Sequence, residues 1–377
     1  MGTTVVEHVR HRRGALAHAV SPRAWRSTMS VDMSRASVGV PIRVGIAVGF
    51  VLVVGGLVGA RDVAGFAALG ALVSAFCRPD PYSVRVGRLT ALGIGIIASV
   101  IVGSVLGVAH ASPALEVTTI ALWGGLAALL IGTLRVAGPG AVVFVFAANG
   151  AMGFAADLSD LTRAAVATGL GTICGAVASL APWLARGAWN RIRSHVDDAP
   201  EAGSTAVRYE SIRATMRRRP DHALLVNAVR IVAAIAASAA LAMAVGLSHP
   251  MWAAMGAMAA MQGVSYHITV QRGLQRLLGN IAGAVIAAAL LGLGLGYWGA
   301  VVAIVACQIA AEIWAPVNYA IASTAVTPMA LLLTALSAGL TPEAAVDRVA
   351  DTLIGIVVGI VIAAVTITGI EHRTVSD

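Results

Sequence analysis

The sequence contains no lysine, so its 26 basic residues are all arginine. Charged residues make up only 12 % of the 377 residues and aromatic residues only 5 %, whereas hydrophobic residues reach 58 %. So few charged residues cannot form the surface of a water-soluble protein, in which about 25 % of the residues are usually charged. The scarcity excludes soluble enzymes, disordered proteins and secreted disulfide scaffolds. It predicts an all-α, polytopic membrane protein whose main partner is the lipid bilayer.

Cysteine is also scarce. Cys77, Cys174 and Cys307 lie in three separate apolar runs, which argues against disulfides and thiolate metal sites. The sequence has no Walker loop, CxxC pair, HExxH motif or nucleophile elbow. We therefore expect no enzyme activity, cofactor or metal. The net charge of +8 is spread between apolar runs, so nucleic acid is not an expected partner.

Twelve apolar runs divide the chain into two halves. A membrane-spanning helix needs about 20 residues, so the runs predict about twelve transmembrane helices. The runs at 63–77 and 250–264 are short enough to be tilted or re-entrant. The runs cover 42–60, 63–77, 87–109, 115–134, 139–156 and 164–185, then 223–247, 250–264, 274–295, 297–314, 317–338 and 347–369.

The arginines predict the domain order and the orientation. If every run crosses the membrane and the first residues are cytoplasmic, only Arg61, Arg163 and Arg348 lie on the extracellular side. The other 23 of the 26 arginines lie on the cytoplasmic side. This asymmetry predicts a multi-pass protein of the cell membrane with both termini in the cytoplasm. The predicted parts are a basic cytoplasmic arm (1–38), a first six-helix repeat (39–186), a cytoplasmic linker (187–222), a second six-helix repeat (223–370) and a cytoplasmic tail (371–377).

The two halves are similar in sequence. A shift of 187 residues brings together arginines and glycines at corresponding points, and a shift of 184 aligns the glycines of the last run. Because six spans return the chain to the same side, the predicted repeats are parallel. The matched pairs are Arg43 with Arg230, Gly59 with Gly246, Arg85 with Arg272, Gly171 with Gly355 and Gly175 with Gly359.

Several motifs of the second half follow one another in order between residues 225 and 369. They are His249–Ala254 (HPMWAA), Gln262–Gly263, Arg272, Gln275–Arg276, Pro316–Ala320 (PVNYA), Thr327–Leu331 (TPMAL) and Arg348–Gly355 (RVADTLIG). This stretch resembles the integral membrane transporter domain of the fusaric acid resistance and aromatic acid exporter family.

The resemblance implies an inner-membrane exporter of small organic anions such as aromatic carboxylates. In the distantly related plant aluminium-activated malate transporters, two six-helix units pair around an anion path lined by basic residues, and this chain resembles that pair fused. The linker is too short for the large cytoplasmic domain that many bacterial members carry.

Two sets of arginines are candidates for handling an anion. Arg43 and Arg230 lie inside apolar runs, where a charge costs about 2.5–3.5 kcal/mol at the bilayer centre. They can form a symmetric positive ring that binds substrate, or extend to the cytoplasmic headgroups. A second set lies at the predicted cytoplasmic ends of the third runs, as a basic entrance or as topology anchors. These are Arg85, Arg88, Arg272 and Arg276.

Polar residues inside the apolar runs complete the predicted site. Pro328 follows Thr327 in the middle of a run, and Asn149 lies near the corresponding point of the first half. Such paired interruptions point to a substrate site at the membrane midplane, although a packing kink is the alternative. Asn318 and Tyr319 open the same helix and can donate to a carboxylate, with membrane-interface anchoring as the alternative for Tyr319.

Two acidic residues are candidates for proton coupling, because a half-buried carboxylate can carry a proton. Asp351 can instead pair with Arg348 or stabilise a helix start, and no alternative role is assigned to Glu312. The function predicted from these residues is export of small organic anions, with proton coupling as a further hypothesis. A passive anion channel and a non-transporting membrane scaffold are the alternatives, and a homo-oligomer is a further hypothesis.

Overall fold

The computed structural model describes residues 21–193, 215, 220–262, 266–339 and 341–366. Within these residues the chain is helical and contains no strand, so the all-α prediction is confirmed for them. Most of the predicted arm and linker and all of the predicted tail lie outside the described residues.

The first half begins with a short helix, α1 (Pro22–Thr28), and a 3₁₀ turn (Met33–Arg35). Six helices follow. They are α2 (Gly39–Leu57), α3 (Ala64–Ala71, continued by a 3₁₀ turn at Leu72–Ala75), α4 (Tyr82–Val108), α5 (Pro113–Leu134), α6 (Val142–Phe154) and α7 (Leu158–Arg193).

The second half also contains six described helices. They are α8 (His222–Ala244), α9 (Pro250–Ala260), α10 (Tyr266–Gly292), α11 (Gly296–Trp314), α12 (Tyr319–Ala338) and α13 (Ala344–Val365). Each of the twelve predicted apolar runs thus falls on one helix of the described chain.

Nine of the described helices are long and apolar enough to cross a membrane. This number is lower than the predicted twelve because α3, α6 and α9 are short. The helix α9 has 11 residues and α6 has 13, against about 20 for a full span. Their apolar runs include loop residues such as Pro139 and Gly140, which lie outside any helix. The chain is therefore a multi-pass membrane protein with nine candidate spans in its described part.

Corresponding helices pack against each other in both halves. The second helix of each half packs on the sixth (α3 on α7, α9 on α13), and the third packs on the fifth (α4 on α6, α10 on α12). The halves meet where α2 contacts α11 and where α8 contacts α5, so the first helix of each half packs on the fourth of the other.

The turn after the first helix is repeated in detail. Gly59 and Gly246 both have a φ of 78°, a left-handed conformation that favours glycine. The N–H of Ala60 donates to the Gly55 carbonyl at 2.8 Å, and the N–H of Leu247 donates to the Ala242 carbonyl at 3.0 Å. Each of these positions in the second half lies 187 residues after its counterpart in the first.

Glycines allow the second and sixth helices to approach closely. Gly171 on α7 lies against the Ala67 carbonyl of α3, and Gly355 on α13 lies against the Ala253 carbonyl of α9. A Cβ at either glycine would overlap the facing backbone. These crossings therefore require a residue without a side chain, as small-residue contacts between membrane helices generally do.

A candidate anion-binding cavity

A cavity of about 370 Å³ lies between the two halves of the chain. This volume is in the range of small-molecule sites, which is about 300–1,000 Å³. The first half contributes Leu72 from the turn after α3, Val143 and Phe146 from α6, and the loop residues Arg78 and Pro139. The helices α9 to α13 of the second half contribute most of the remaining wall.

One face of α12 lines the cavity along most of its length. Tyr319, Ala322, Val326, Met329 and Leu333 follow at spacings of three or four residues, which places them on one side of the helix. The distance from the first to the last is about 21 Å at 1.5 Å per residue, against a hydrocarbon thickness of about 30 Å. The cavity therefore extends along most of the length of α12.

The cavity has a strong excess of positive charge. Its lining contains four arginines, at positions 78, 272, 276 and 348, and one carboxylate, Glu312. Apolar side chains, among them Phe146, Met255 and Val326, form much of the remaining wall. A small anion with an apolar body matches this combination of surfaces.

Three of these arginines contact neutral partners. Arg276 donates from Nη1 to the Tyr319 hydroxyl at 3.1 Å, and Arg272 donates from Nη1 to Gln262 Oε1 at 3.1 Å. The guanidinium of Arg272 also lies 5.4 Å from the Tyr319 ring centroid. The guanidinium of Arg348 lies 5.1 Å from the centroid of the Trp252 ring. None of the three forms an ion pair with a described carboxylate within 4.0 Å.

Arg276 and Arg348 are also deeply buried, with 5 % and 3 % of their surface exposed. The Nε atom of each has no hydrogen-bond partner among the described residues. The Asp351 carboxylate on the same helix interacts electrostatically with Arg348 but forms no ion pair with it within 4.0 Å. Removing a guanidinium from water without a directly paired counter-ion is costly. Because a carboxylate would supply both the charge and the missing hydrogen bonds, this pair of arginines is the centre of the candidate site.

The fourth arginine of the cavity is paired. Arg78 forms an ion pair with Glu312, and Gln308 donates from Nε2 to Glu312 Oε1 at 3.0 Å. Burial, followed by the nearby Arg43 guanidinium, lowers the pKa of Arg78. Glu312 is 7 % exposed, so its carboxylate is held inside the cavity wall by both partners.

The predicted entrance arginines separate into two groups. Arg272 and Arg276 line the cavity, whereas Arg85 and Arg88 do not. Arg85 donates to the carbonyls of Arg78 and Asp80 at 2.8 and 2.7 Å, and Arg88 forms an ion pair with Asp80 at 2.8 Å. The first-half pair therefore fixes the loop between α3 and α4.

Arg43 and Arg230, predicted to form a ring, do not line this cavity. Arg43 is half-buried and faces a separate, much smaller space together with Arg78 and Arg85. Arg230 is half-buried and donates to the Thr366 carbonyl at the end of α13. The structure places the two arginines beside different helices.

The predicted amides have backbone partners. Asn318 caps α12, where its Oδ1 accepts from the Ala320 N–H at 2.8 Å. Its Nδ2 donates to the carbonyls of Thr28 and Ser30 at 3.0 and 2.7 Å. Asn149 donates to the Met251 carbonyl at 3.3 Å. Neither amide lines the cavity. Tyr319, which was predicted together with them as a substrate-binding residue, does line it.

Thr327 and Pro328 lie directly behind the cavity wall, between the lining residues Val326 and Met329. Proline leaves the carbonyl four residues earlier without its helical hydrogen bond. This carbonyl belongs to Thr324 and lies against Gly283 of α10. The interruption therefore faces protein, and α12 continues through it to Ala338.

A buried hydrogen-bond network connects Thr327 to the arginine site. Thr327 donates to Asn280 Oδ1 at 2.6 Å, and Asn280 donates to Thr352 Oγ1 at 2.6 Å and to the Arg348 carbonyl at 3.1 Å. One turn further along α13, Asp351 is completely buried, and neither of its carboxylate oxygens has a hydrogen-bond partner among the described residues. Asp351 does not line the cavity.

Sequence reasoning missed several residues of this site. Arg78 and Gln308 were assigned no role, because only the folded chain brings them to Glu312. Arg348 carries a signal in the sequence, since it belongs to a family motif and matches Arg163. The arginine count, however, assigned it to the extracellular side of the membrane. Asn280 is a polar residue within an apolar run, a feature that would have identified it.

Comparison with protein families gave a match in the second half of the chain. Residues 234–362 match the family described as "Fusaric acid resistance protein-like", and this range contains every second-half residue of the cavity. Comparison with curated proteins and with solved structures found no match. The family match and the nine candidate spans agree with a multi-pass membrane protein of a transporter type.

Proposed function

From the fusaric acid resistance protein-like domain in its second half, we propose that this membrane protein exports small organic anions, such as aromatic carboxylates, through the cavity between its halves. The observation that carries the proposal is the pair of buried arginines, Arg276 and Arg348, which face the cavity and form no ion pair within 4.0 Å with a described carboxylate. An anion that enters the cavity supplies that partner.

The proposed binding mode follows from the chemistry of the walls. A guanidinium binds a carboxylate through two parallel hydrogen bonds, which fixes the orientation of the anion as well as its charge. An aromatic or aliphatic body then packs against Phe146, Met255 and Val326. Arg272 and Tyr319, at the end where α12 begins, attract the anion toward this site.

The proposal includes a topology of twelve crossings in two parallel six-helix repeats. The matching helix contacts and the matching turns at Gly59 and Gly246 support it. In this topology the arm, the linker and both termini are cytoplasmic, because 23 of 26 arginines then lie on that side. In this topology the start of α12, and with it the end of the cavity near Tyr319, faces the cytoplasm.

Contacts at the deep end of the cavity favour a transporter over an open channel. Leu333 lines the cavity there, and its carbonyl oxygen lies 3.3 Å from the position that a Cβ on Gly65 would occupy. The helices α3 and α12 therefore touch beyond the cavity. Export then requires a movement of one half against the other, as in other transporters built from repeats.

The test is uptake and efflux of radiolabelled benzoate in proteoliposomes. We expect Arg276→Gln and Arg348→Gln each to lower benzoate flux by at least about tenfold, because loss of a charge-assisted hydrogen bond is worth about 1.4 kcal/mol or more. Arg163→Gln is the matched control. Arg163 is exposed and paired with Asp62, does not line the cavity, and matches Arg348 in the repeat to within one residue.

The same assay separates the alternatives. Uphill flux driven by an imposed pH gradient supports a proton-coupled exporter, with Glu312 and Asp351 as the candidate proton carriers. Flux that only runs downhill supports a passive anion channel. A wild-type protein that moves neither benzoate nor other organic or inorganic anions contradicts the proposal and favours a membrane scaffold.

A further inference from the structure

We propose that the Glu312 carboxylate is an internal occupant of the anion cavity, held on Arg78 until a substrate carboxylate and a proton displace it. The inference rests on the proposed function and adds a coupling device to it. Glu312 lines the cavity and is the one carboxylate among its described lining residues. Bound to a guanidinium, it presents the same chemistry as an incoming carboxylate.

The position of this ion pair connects occupancy to the relation between the halves. Arg78 belongs to the loop after α3 in the first half, and Glu312 belongs to α11 in the second. Every other ion pair between described residues lies within one half. Displacing Glu312 from Arg78 therefore breaks the ionic contact that joins the two halves at the cavity. Loss of this contact allows one half to move against the other, as export requires.

The other charged groups of the described cavity lining are all positive. The helix α11 packs on α2 and on α12. From α2, Arg43 lies near Arg78, and from α12, Tyr319 faces the cavity beside Arg276. On α11 itself the polar neighbour is the neutral Gln308. The remaining charged groups of the described lining are Arg272, Arg276 and Arg348, and Asp351 lies behind the wall beside Arg348.

The proposed exchange balances charge and protons. A proton from the cytoplasmic solution converts the Glu312 carboxylate into a neutral acid, and the Arg78 guanidinium is then free to bind the substrate carboxylate. Deprotonation reverses the exchange and releases the anion. Proton and anion therefore bind together, and by linkage each increases the affinity for the other.

The test is equilibrium binding of radiolabelled benzoate to the purified full-length protein in detergent. Wild type should bind more tightly as the pH is lowered from above neutral, within the range in which benzoate stays ionised because carboxylic acids titrate near about pH 4. Glu312→Gln should bind about tenfold more tightly than wild type at the upper pH, and its affinity should not change with pH, because the internal competitor is gone.

A double variant tests the role of Arg78. In Arg78→Gln/Glu312→Gln the gain should disappear, because no guanidinium is released by the loss of Glu312. Glu116→Gln is the control. Glu116 is a half-buried carboxylate in the first turn of α5 that does not line the cavity, and its removal should leave both affinity and pH dependence unchanged.

The possible failures can be distinguished. Equal benzoate affinity in wild type and Glu312→Gln, with the same pH dependence, overturns the inference but leaves the proposed function intact. A gain that survives the loss of Arg78 assigns the effect to the overall charge of the cavity and also overturns the inference. Absence of benzoate binding in every variant contradicts the proposed function, and the inference fails with it.

Discussion

Asn280 holds three helices together through its side chain alone. Its amide donates to Thr352 and to the Arg348 carbonyl of α13, and its oxygen accepts from Thr327 of α12. Asn280 is 1 % exposed, so water is not available to replace these bonds. The backbone of Arg348 is thereby fixed relative to α10, which carries Arg276, and the spacing of the two buried guanidinium groups depends on this amide.

Asn280→Leu should lower both stability and transport. The substitution removes the bonds of this amide to the Thr352 hydroxyl and the Arg348 carbonyl, whereas the Thr327 hydroxyl keeps its bond to the Ser323 carbonyl. A buried group left unsatisfied costs about 1–3 kcal/mol. Thermal unfolding of the purified protein in detergent measures the loss. Thr334→Val is the control, because the Thr334 hydroxyl donates to the Ala330 carbonyl of its own helix and connects no second helix among the described residues. An unchanged unfolding temperature for Asn280→Leu would contradict the role of the network.

At this scale the sequence predicted the polar site in part. Arg272, Arg276 and Tyr319 were named, and all three line the cavity. Each lies on a helix that a family motif covers, so its position along the membrane can be read from the sequence. Arg78 could not be predicted, because it follows a short helix and reaches the cavity only when the two halves pack together.

Among the helices, the close crossings of α7 with α3 and of α13 with α9 set the shape of each half. We expect Gly171→Ala and Gly355→Ala each to lower the unfolding temperature clearly, because the new methyl group overlaps a backbone carbonyl that cannot move aside. Overpacking of this kind typically costs about 1–3 kcal/mol. Similar losses at both positions are expected, since they correspond in the repeat.

Gly153→Ala on α6 is the matched control for these crossings. Gly153 is exposed, and no atom lies within 4 Å of the position that its Cβ would occupy. Alanine has a higher helix propensity than glycine, by about 1 kcal/mol, so this variant should be as stable as wild type or more stable. A loss at Gly153 equal to that at Gly171 would mean that the crossings are not the cause.

The helix starts explain where hydropathy gives the wrong boundary. The predicted run at 274–295 corresponds to α10, which begins at Tyr266, and the run at 87–109 corresponds to α4, which begins at Tyr82. The parts that hydropathy misses carry Arg85, Tyr266 and Thr269, all less than 9 % exposed. Hydropathy detects contact with lipid, so it misses the part of a helix whose polar side chains are buried in the protein.

For the molecule as a whole, the proposed twelve-crossing topology requires the short helices α3, α6 and α9 to cross the membrane. We expect single cysteines placed at Ser112 and Ser159, in a cysteine-free background, to react with an impermeant thiol reagent added to intact cells. A cysteine at Ser34 should react only after permeabilisation. All three positions are exposed, so differences in labelling report the side of the membrane.

The position of Ser159 tests the crossing of α6. Two helices, α5 and α6, separate Ser112 from Ser159, so both positions share one side only if α6 crosses. Labelling of Ser112 from outside but of Ser159 only after permeabilisation would make α6 re-entrant and overturn the twelve-crossing topology. A cysteine at Ser34 that reacts in intact cells would reverse the proposed orientation.

Most of the architecture was accessible from the sequence because lipid demands long apolar runs and the same pattern occurs twice. The twelve runs and the turn at Gly59 and Gly246 follow directly from it. The cavity could not be predicted from the sequence, because it depends on how α2 packs on α11 and α5 packs on α8. These contacts involve glycines and aliphatic side chains that occur throughout the chain.

The two halves use equivalent arginines for different purposes. Arg272 faces the cavity, whereas its counterpart Arg85 fixes a loop. In a dimer of identical subunits, each substitution occurs in both subunits. Such a dimer would therefore contain two copies of each arrangement. Joining the units in one chain releases them from that constraint, so one copy can evolve selectivity toward a solute while the other preserves the frame. Solute preference should therefore diverge through the second half faster than through the first.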